Sequence, residues 1–269
     1  MKKDKSIILI VLFGMSLWGI ACYENQSGCL DLMASNFDVD ADEDCCKDPD
    51  DCCCEYPDLI LNVAHQLDSA SLQIGQTYSN NLGQPYILIA VNFFLSDFGL
   101  HHNGEWYGID DSILIEDIKR PNDVTPVSRS SLRLTIGKFL PSLSFDEFRF
   151  LCGLSQAEAD SSPSQFEDNH PLSKTSNLWE EANGYRMFAV SMIRDTMTMD
   201  TVHLSIAASP AIPFDLSIDE TKSIGEDLNI SLSINYNKWF DTLDLENDSV
   251  ELLAEKIKEG IKSSIDYLP

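Results

Sequence analysis

Apolar and polar residues alternate with a period of two along several stretches of the chain. In LNISLSINY (228–236), Leu228, Ile230, Leu232, Ile234 and Tyr236 share one face, while Asn229, Ser231, Ser233 and Asn235 share the other. That is the pattern of a half-buried strand. SLRLTIG (131–137) and TVHLSIA (201–207) alternate likewise. YILIAVNFFL (86–95) and YRMFAVSMI (185–193) are apolar on both faces, as central strands of a sandwich are. NNLGQP, HHNGEW and EANGY separate these runs as turn signals. Near the C-terminus the period lengthens to that of a helix. Asp248 and Glu251 make a start resembling a capping box, and Val250, Leu253, Ile257, Ile261 and Ile265 form an apolar stripe that reads as core packing. The predicted fold is mainly β: an antiparallel β-sandwich with a C-terminal α-helix packed on it, preceded by a disulfide-rich irregular segment. Residues 58–269, about 210 in number, suffice for one substantial core.

The N-terminus sets the compartment. Residues 1–22, MKKDKSIILIVLFGMSLWGIAC, have a basic start (Lys2, Lys3, Lys5) and an apolar run from Ile7 to Ala21. The run is short for a membrane span and ends in Gly19-Ile20-Ala21-Cys22, which resembles a bacterial lipoprotein signal with Cys22 as the lipidated residue. An ordinary secretory signal is the alternative, and both carry the chain to where disulfides persist. Residues 23–57 then form an acidic, cysteine-rich stalk. Cys29, Cys45, Cys46, Cys52, Cys53 and Cys54 cluster there, and six cysteines allow fifteen pairings. Thiolate binding of copper or zinc is the sharper alternative, but clean zinc spacing is lacking, so disulfides are expected. Cys152, alone in FRFLCGL, is expected to be a buried free thiol.

With 18 basic and 44 acidic residues the chain carries a formal charge of −26, which excludes nucleic acid as a partner because phosphate binding requires a basic face. Eleven acidic residues and one lysine lie between Asp31 and Asp58. Asp38, Asp40, Asp42 and Asp44 alternate, the arrangement a hard cation such as calcium takes from one segment. A solvated acidic tether is the plainer reading. GCLDLMASNFDVDADEDC is similar to a short cysteine-bounded module, GCxDxxAxNYDxxAxxDDGSC, of exported Bacteroidota proteins. Gly28, Cys29, Asp31, Ala34, Asn36, Phe37, Asp38, Ala41 and Asp44 carry that likeness.

No catalytic motif emerges: the chain lacks G-x-S-x-G, a P-loop, H-E-x-x-H and a dinucleotide fingerprint. A non-enzymatic protein is expected. Of the five histidines, His101 and His102 sit in a hairpin tip, where a solvated turn is the plainer reading. His65 ends the strand-like run LILNVAH on the parity of Leu59, Leu61 and Val63, whereas His203 lies opposite Val202, Leu204 and Ile206. Convergence of the two at a sandwich rim is the candidate metal site.

Taken in order, segments from about residue 57 to 269 resemble the methanobactin-locus periplasmic (MbnP-like) copper-binding domain family. The strand ending in His65, Gly83-Gln84, the aromatic pair before Leu95-Ser96, and Gly153 in FRFLCGL are in place. HPLSKTSNLWEEANGYRMFAV carries His170, Pro171, Leu172, Trp179, Gly184 and Tyr185, and INYNKWFD matches the closing N-x-W-F. The resemblance implies Cu(I) held by histidine nitrogens beside a tryptophan open to oxidation to kynurenine. By position Trp179 is that aromatic and His65 and His203 are the ligands. Imidazole suits Cu(I). Glu181 is the departure, replacing a second Trp or a histidine with a harder carboxylate. The implied function is copper binding for uptake or buffering at the cell envelope, on a periplasmic or outer-membrane surface. The partners implied are the membrane, through the lipid anchor, and an outer-membrane transporter or envelope protein. The alternative is a β-sandwich adhesion or assembly module without a metal site, on a calcium-stiffened stalk.

Overall fold

The computed structural model describes residues 25–46, 53–67, 69–108, 124–128, 132–138, 144–166, 168, 170–173 and 178–269; the segment expected to be a signal, with Cys22, and Cys52 lie outside them. Two short strands, β1 (Ser27–Gly28) and β2 (Glu43–Asp44), lie in the cysteine-rich segment. The body opens with β3 (Asp58–Leu67), β4 (Ala70–Ser71), β5 (Thr77–Ser79), β6 (Pro85–His102), β7 (Glu105–Gly108) and β8 (Val124–Ser128). Next come β9 (Arg133–Lys138), β10 (Ser144–Cys152) and a one-turn helix, α1 (Gln156–Ala159). They are followed by β11 (Trp179–Glu180), β12 (Gly184–Asp195), β13 (Asp200–Ala207), β14 (Ile212–Thr221) and β15 (Leu228–Asn235). A short helix α2 (Asn237–Phe240), the helix α3 (Val250–Ile261) and β16 (Ile265–Leu268) close the chain.

The strand β6 is the spine of a nine-stranded antiparallel sheet. Ile87 pairs with both Ile193 and Thr77, and Gly99 with both Arg149 and Gly108, so β12 and β10 share one edge of β6 while β5, β8 and β7 share the other. β13 flanks β12, and β14 flanks β10. The second sheet has five strands, with β15 central between β16 and β3, and with β9 and β4 beyond. Among the described strands of the sandwich, one pairing departs from the antiparallel expectation. β3 and β15 run parallel, Leu59 beside Leu228 through Gln66 beside Asn235, which only a long crossover allows.

Between the sheets, Leu61 and Val63 of β3 and Ile230, Leu232 and Ile234 of β15 meet Phe93, Phe148, Val190 and Leu204 of the larger sheet. A second apolar cluster holds Phe94, Leu154, Leu172, Leu178 and Tyr185. Phe94 follows Phe93 in an extended strand, so this cluster lies on the outer face of the larger sheet. The two clusters explain why β6 and β12 are apolar on both faces.

The terminal helix buries Leu253, Ala254, Ile257 and Ile261, as the stripe predicts, but Val250 is exposed and Ile265 belongs to β16. Its cap is Ser249, not Asp248: the Ser249 hydroxyl accepts from the Leu252 amide at 3.3 Å. Asp248 instead accepts from the Asp244 amide and ion-pairs with Lys256. Ser249→Ala should lower stability by about 1 kcal/mol, read as a reduced urea midpoint at constant slope.

The cysteine-rich segment is a closed module rather than an extended tether. Disulfides join Cys29 to Cys54 and Cys45 to Cys53, and Cys46 is disulfide-bonded as well. Asn36 stitches the module, donating to the Cys53 carbonyl and accepting from the Glu55 amide. It is seated on the sandwich at the β14–β15 turn. There Gly225 has φ +80°, and a Cβ would stand 3.0 Å from the Ala34 carbonyl oxygen. Cys152 is free and buried, and burial pushes its thiol up to about 12, so it is not a reactive thiolate.

Candidate functional site

The larger sheet separates the two histidines proposed as ligands. His65 points inward from β3 and is 5% exposed. Its Nδ1 lies 2.9 Å from the Tyr236 hydroxyl, and the rings are stacked at 5.9 Å. Val202 and Leu204, the neighbours of His203 in β13, face the core, so His203 stands on the outer face. The two side chains therefore lie on opposite sides of one sheet and do not converge. His65 is an interior histidine engaged with a buried tyrosine, whose own ionisation burial suppresses.

His203 has the setting of a ligand. It is exposed, and its Nδ1 lies 2.8 Å from Ser191 Oγ on β12, its cross-strand partner. No protein group among the described residues engages its Nε2. A hydrogen bond at one ring nitrogen fixes the tautomer and aims the other at an ion. Sequence reasoning missed Ser191. Counting back along both strands from the DTMTMD tip places Met192 opposite His203; a bulge between Ile193 and Asp195 shifts the register by one and brings Ser191 there instead.

Trp179 sits at the far end of the same outer face. β11 pairs it with Tyr185, whose ring centroid is 4.6 Å away. The Tyr185 hydroxyl donates to the Leu172 carbonyl, and burial pushes its pKa up to about 12. His170 orders the turn at Pro171–Ser173: its Nδ1 accepts from the Leu172 amide at 3.1 Å, and its ring stacks on Phe166. Gly184, at φ +74°, turns the chain from β11 into β12. Glu181 opens that turn. Its neighbour Glu180 was not anticipated: its carboxylate ion-pairs with Arg186, accepts from Asn183, and lies 3.5 Å from Ser205 Oγ. The hydrogen bonds from Arg186 and then Asn183 hold the Glu180 pKa below its ordinary value. Ser205 is two residues from His203 along β13, so this carboxylate approaches the same strip of sheet, already neutralised by a guanidinium.

The remaining candidates are occupied otherwise. His101 pairs with Asp146 at 2.6 Å, and His102 bonds the Ser144 carbonyl and Asn103. Asp38 accepts from the Asp40 amide and the Gln26 side chain, Asp42 from the Gln26 amide, and Asp44 from the Cys46 amide. Among the described residues, one group of three or more potential metal donors lies within 4.8 Å of one another: Asp44 with Cys45, Cys46 and Cys54. Its sulfurs are all in disulfides and offer no thiolate. Asp38, Asp40 and Asp42 do not join Asp44 in such a group. Among the described residues, no helix is long and apolar enough to cross a membrane.

Comparison with solved structures finds MbnP from Methylosinus trichosporium, at 11% identity and a TM-score of 0.46 over 73% of this chain and 82% of that one. No curated protein matches the chain. The family model for MbnP matches residues 56–257, the span that runs from the module's Tyr56 through both sheets into α3. With three quarters of its length covered by that one model, the chain belongs to the MbnP family.

Proposed function

We propose that the chain is an exported, non-enzymatic protein, held at the cell envelope through lipid on Cys22, which binds Cu(I) for uptake or buffering. His203 is the ligand to which the site is built. One observation carries this reading: an exposed imidazole with Nδ1 held by Ser191 and Nε2 without a protein partner, on a family sandwich linked to copper handling. Imidazole nitrogen suits Cu(I), which tolerates low coordination numbers. Glu180 contributes little, since a carboxylate is hard and this one is paired with Arg186. The module of residues 25–56, closed by disulfides, spaces the sandwich from the anchor. An outer-membrane transporter or another envelope protein is the exchange partner.

The test is titration of the chain beginning after Cys22 with Cu(I) against a competing chelator, followed by metal analysis and intact mass. One copper per chain retained through His203 is expected. His203→Ala should remove that equivalent, and Ser191→Ala should weaken it by about tenfold because the ring loses its orienting bond. A mass change at Trp179 would add the kynurenine chemistry. Absence of retained copper in the unsubstituted chain would defeat the reading and leave an adhesion or assembly module.

A further inference from the structure

The hairpin between β12 and β13 closes through Thr196–Met199 and presents two thioethers to solvent: Met197 is 92% exposed and Met199 56%. Met199 has φ +59°. The other described residues in the left-handed region are Ser69, Asp97, Asn103 and glycines, the small or polar types that adopt it readily. Met199 is the exception, a long apolar side chain held where asparagine or glycine would fit without strain. Strained backbone of this kind gathers at functional sites.

The turn is also tightly built. The Asp195 carboxylate accepts from the amides of Met197 and Thr198 and from the Thr198 hydroxyl, and Arg194 pairs with Asp200 at 2.7 Å across its base. Exposure of the two methionines is thus a property of a pinned loop. Met197 borders an open cleft of about 780 Å³ lined also by Asp195, Asp200, Glu246 and Arg194, three acids against one base. Such a cleft gathers cations.

We infer that this turn is a binding site for a soft monovalent metal ion, Cu(I), with the Met197 and Met199 sulfurs as ligands. Thioethers discriminate against hard cations, and the flexible methionine side chain lets two sulfurs two residues apart close on one ion. The site is separate from His203 and stands or falls independently of it.

The experiment uses the full-length protein with carbon-13 at the methionine methyl groups, titrated with Ag(I) as a redox-inert stand-in and then anaerobically with Cu(I). The methyl resonances of Met197 and Met199 should move with the first equivalent, while those of the buried Met187 and Met192 stay in place. Met197→Leu/Met199→Leu, which keeps apolar bulk and removes sulfur, should weaken this site by tenfold or more. In His203→Ala the shifts should persist. Unmoved methyls at 197 and 199, or undiminished affinity in the leucine variant, would overturn the assignment. So would loss of the shifts in His203→Ala, because the thioethers would then report only on an ion held by the imidazole.

Discussion

Gly260→Ala is expected to destabilise the protein by about 3 kcal/mol, although the same change in an isolated helix would stabilise it by about 1 kcal/mol. The last turn of α3 crosses α2 so closely that a Cβ on residue 260 would stand 2.0 Å from the Lys238 carbonyl oxygen and 3.0 Å from the Trp239 Cα. Both obstacles are backbone, so no side-chain rotation relieves the overlap. Either the helix lifts from α2, uncovering Ile257 and Ile261, or the α2 backbone shifts and carries Trp239 with it. Each route disturbs fully buried residues, and packed interiors absorb such shifts poorly. Urea unfolding against Glu259→Ala, an exposed position one residue earlier, reads the effect. An unchanged or raised midpoint in Gly260→Ala would mean that the helices do not approach this closely.

Strand parity placed the histidines correctly within their strands: His65 shares the buried face of Leu59, Leu61 and Val63, and His203 the polar face of β13. What parity cannot supply is the side of a sheet relative to another sheet. That depends on pairings between residues far apart in the chain, such as β3 with β15 and β6 with β12. The rim site built from His65 and His203 was therefore drawn from two correct local readings and fails in three dimensions. The two-faced apolar runs were informative for a related reason. Phe94 and Tyr185 need an outer cover, which the segment carrying Leu154, Leu172 and Leu178 provides. The Ser249 cap was within reach of the sequence through cap spacing, whereas hairpin counting misses the Ser191–His203 bond because a bulge between Ile193 and Asp195 shifts the register by one. The disulfide pairing was not within reach either, because Cys45, Cys53 and Cys54 are close enough along the chain to permit several closures.

Trp239→Ala is expected to cost about 4 kcal/mol, the largest loss from any single truncation considered. Trp239 is fully buried in a four-residue helix too short to show a hydrophobic period, which is why the sequence marks it only through the N-x-W-F likeness. Its ring meets Phe93 and Phe188 of the larger sheet at 5.6 and 6.2 Å, and Tyr236 at 4.9 Å. Tyr236 in turn engages His65 of the smaller sheet. The indole Nε1 donates to Ser264 Oγ at 2.8 Å, which itself donates to the Ile261 carbonyl at the end of α3. One side chain thus ties both sheets and the terminal helix. Trp239→Phe keeps part of the ring packing and leaves Ser264 bonded to Ile261, so its cost should be about half that of alanine. The two substitutions in this region must couple, since a Cβ at residue 260 would press on the Trp239 backbone itself. Emptying the tryptophan site gives α2 room to move, so the double variant Trp239→Ala/Gly260→Ala should lose less stability than the sum of its parts by about 1 kcal/mol or more. Strict additivity in a double-mutant cycle would show that the helix contact and the aromatic plug act separately, and would place the Gly260 effect outside the core that Trp239 holds.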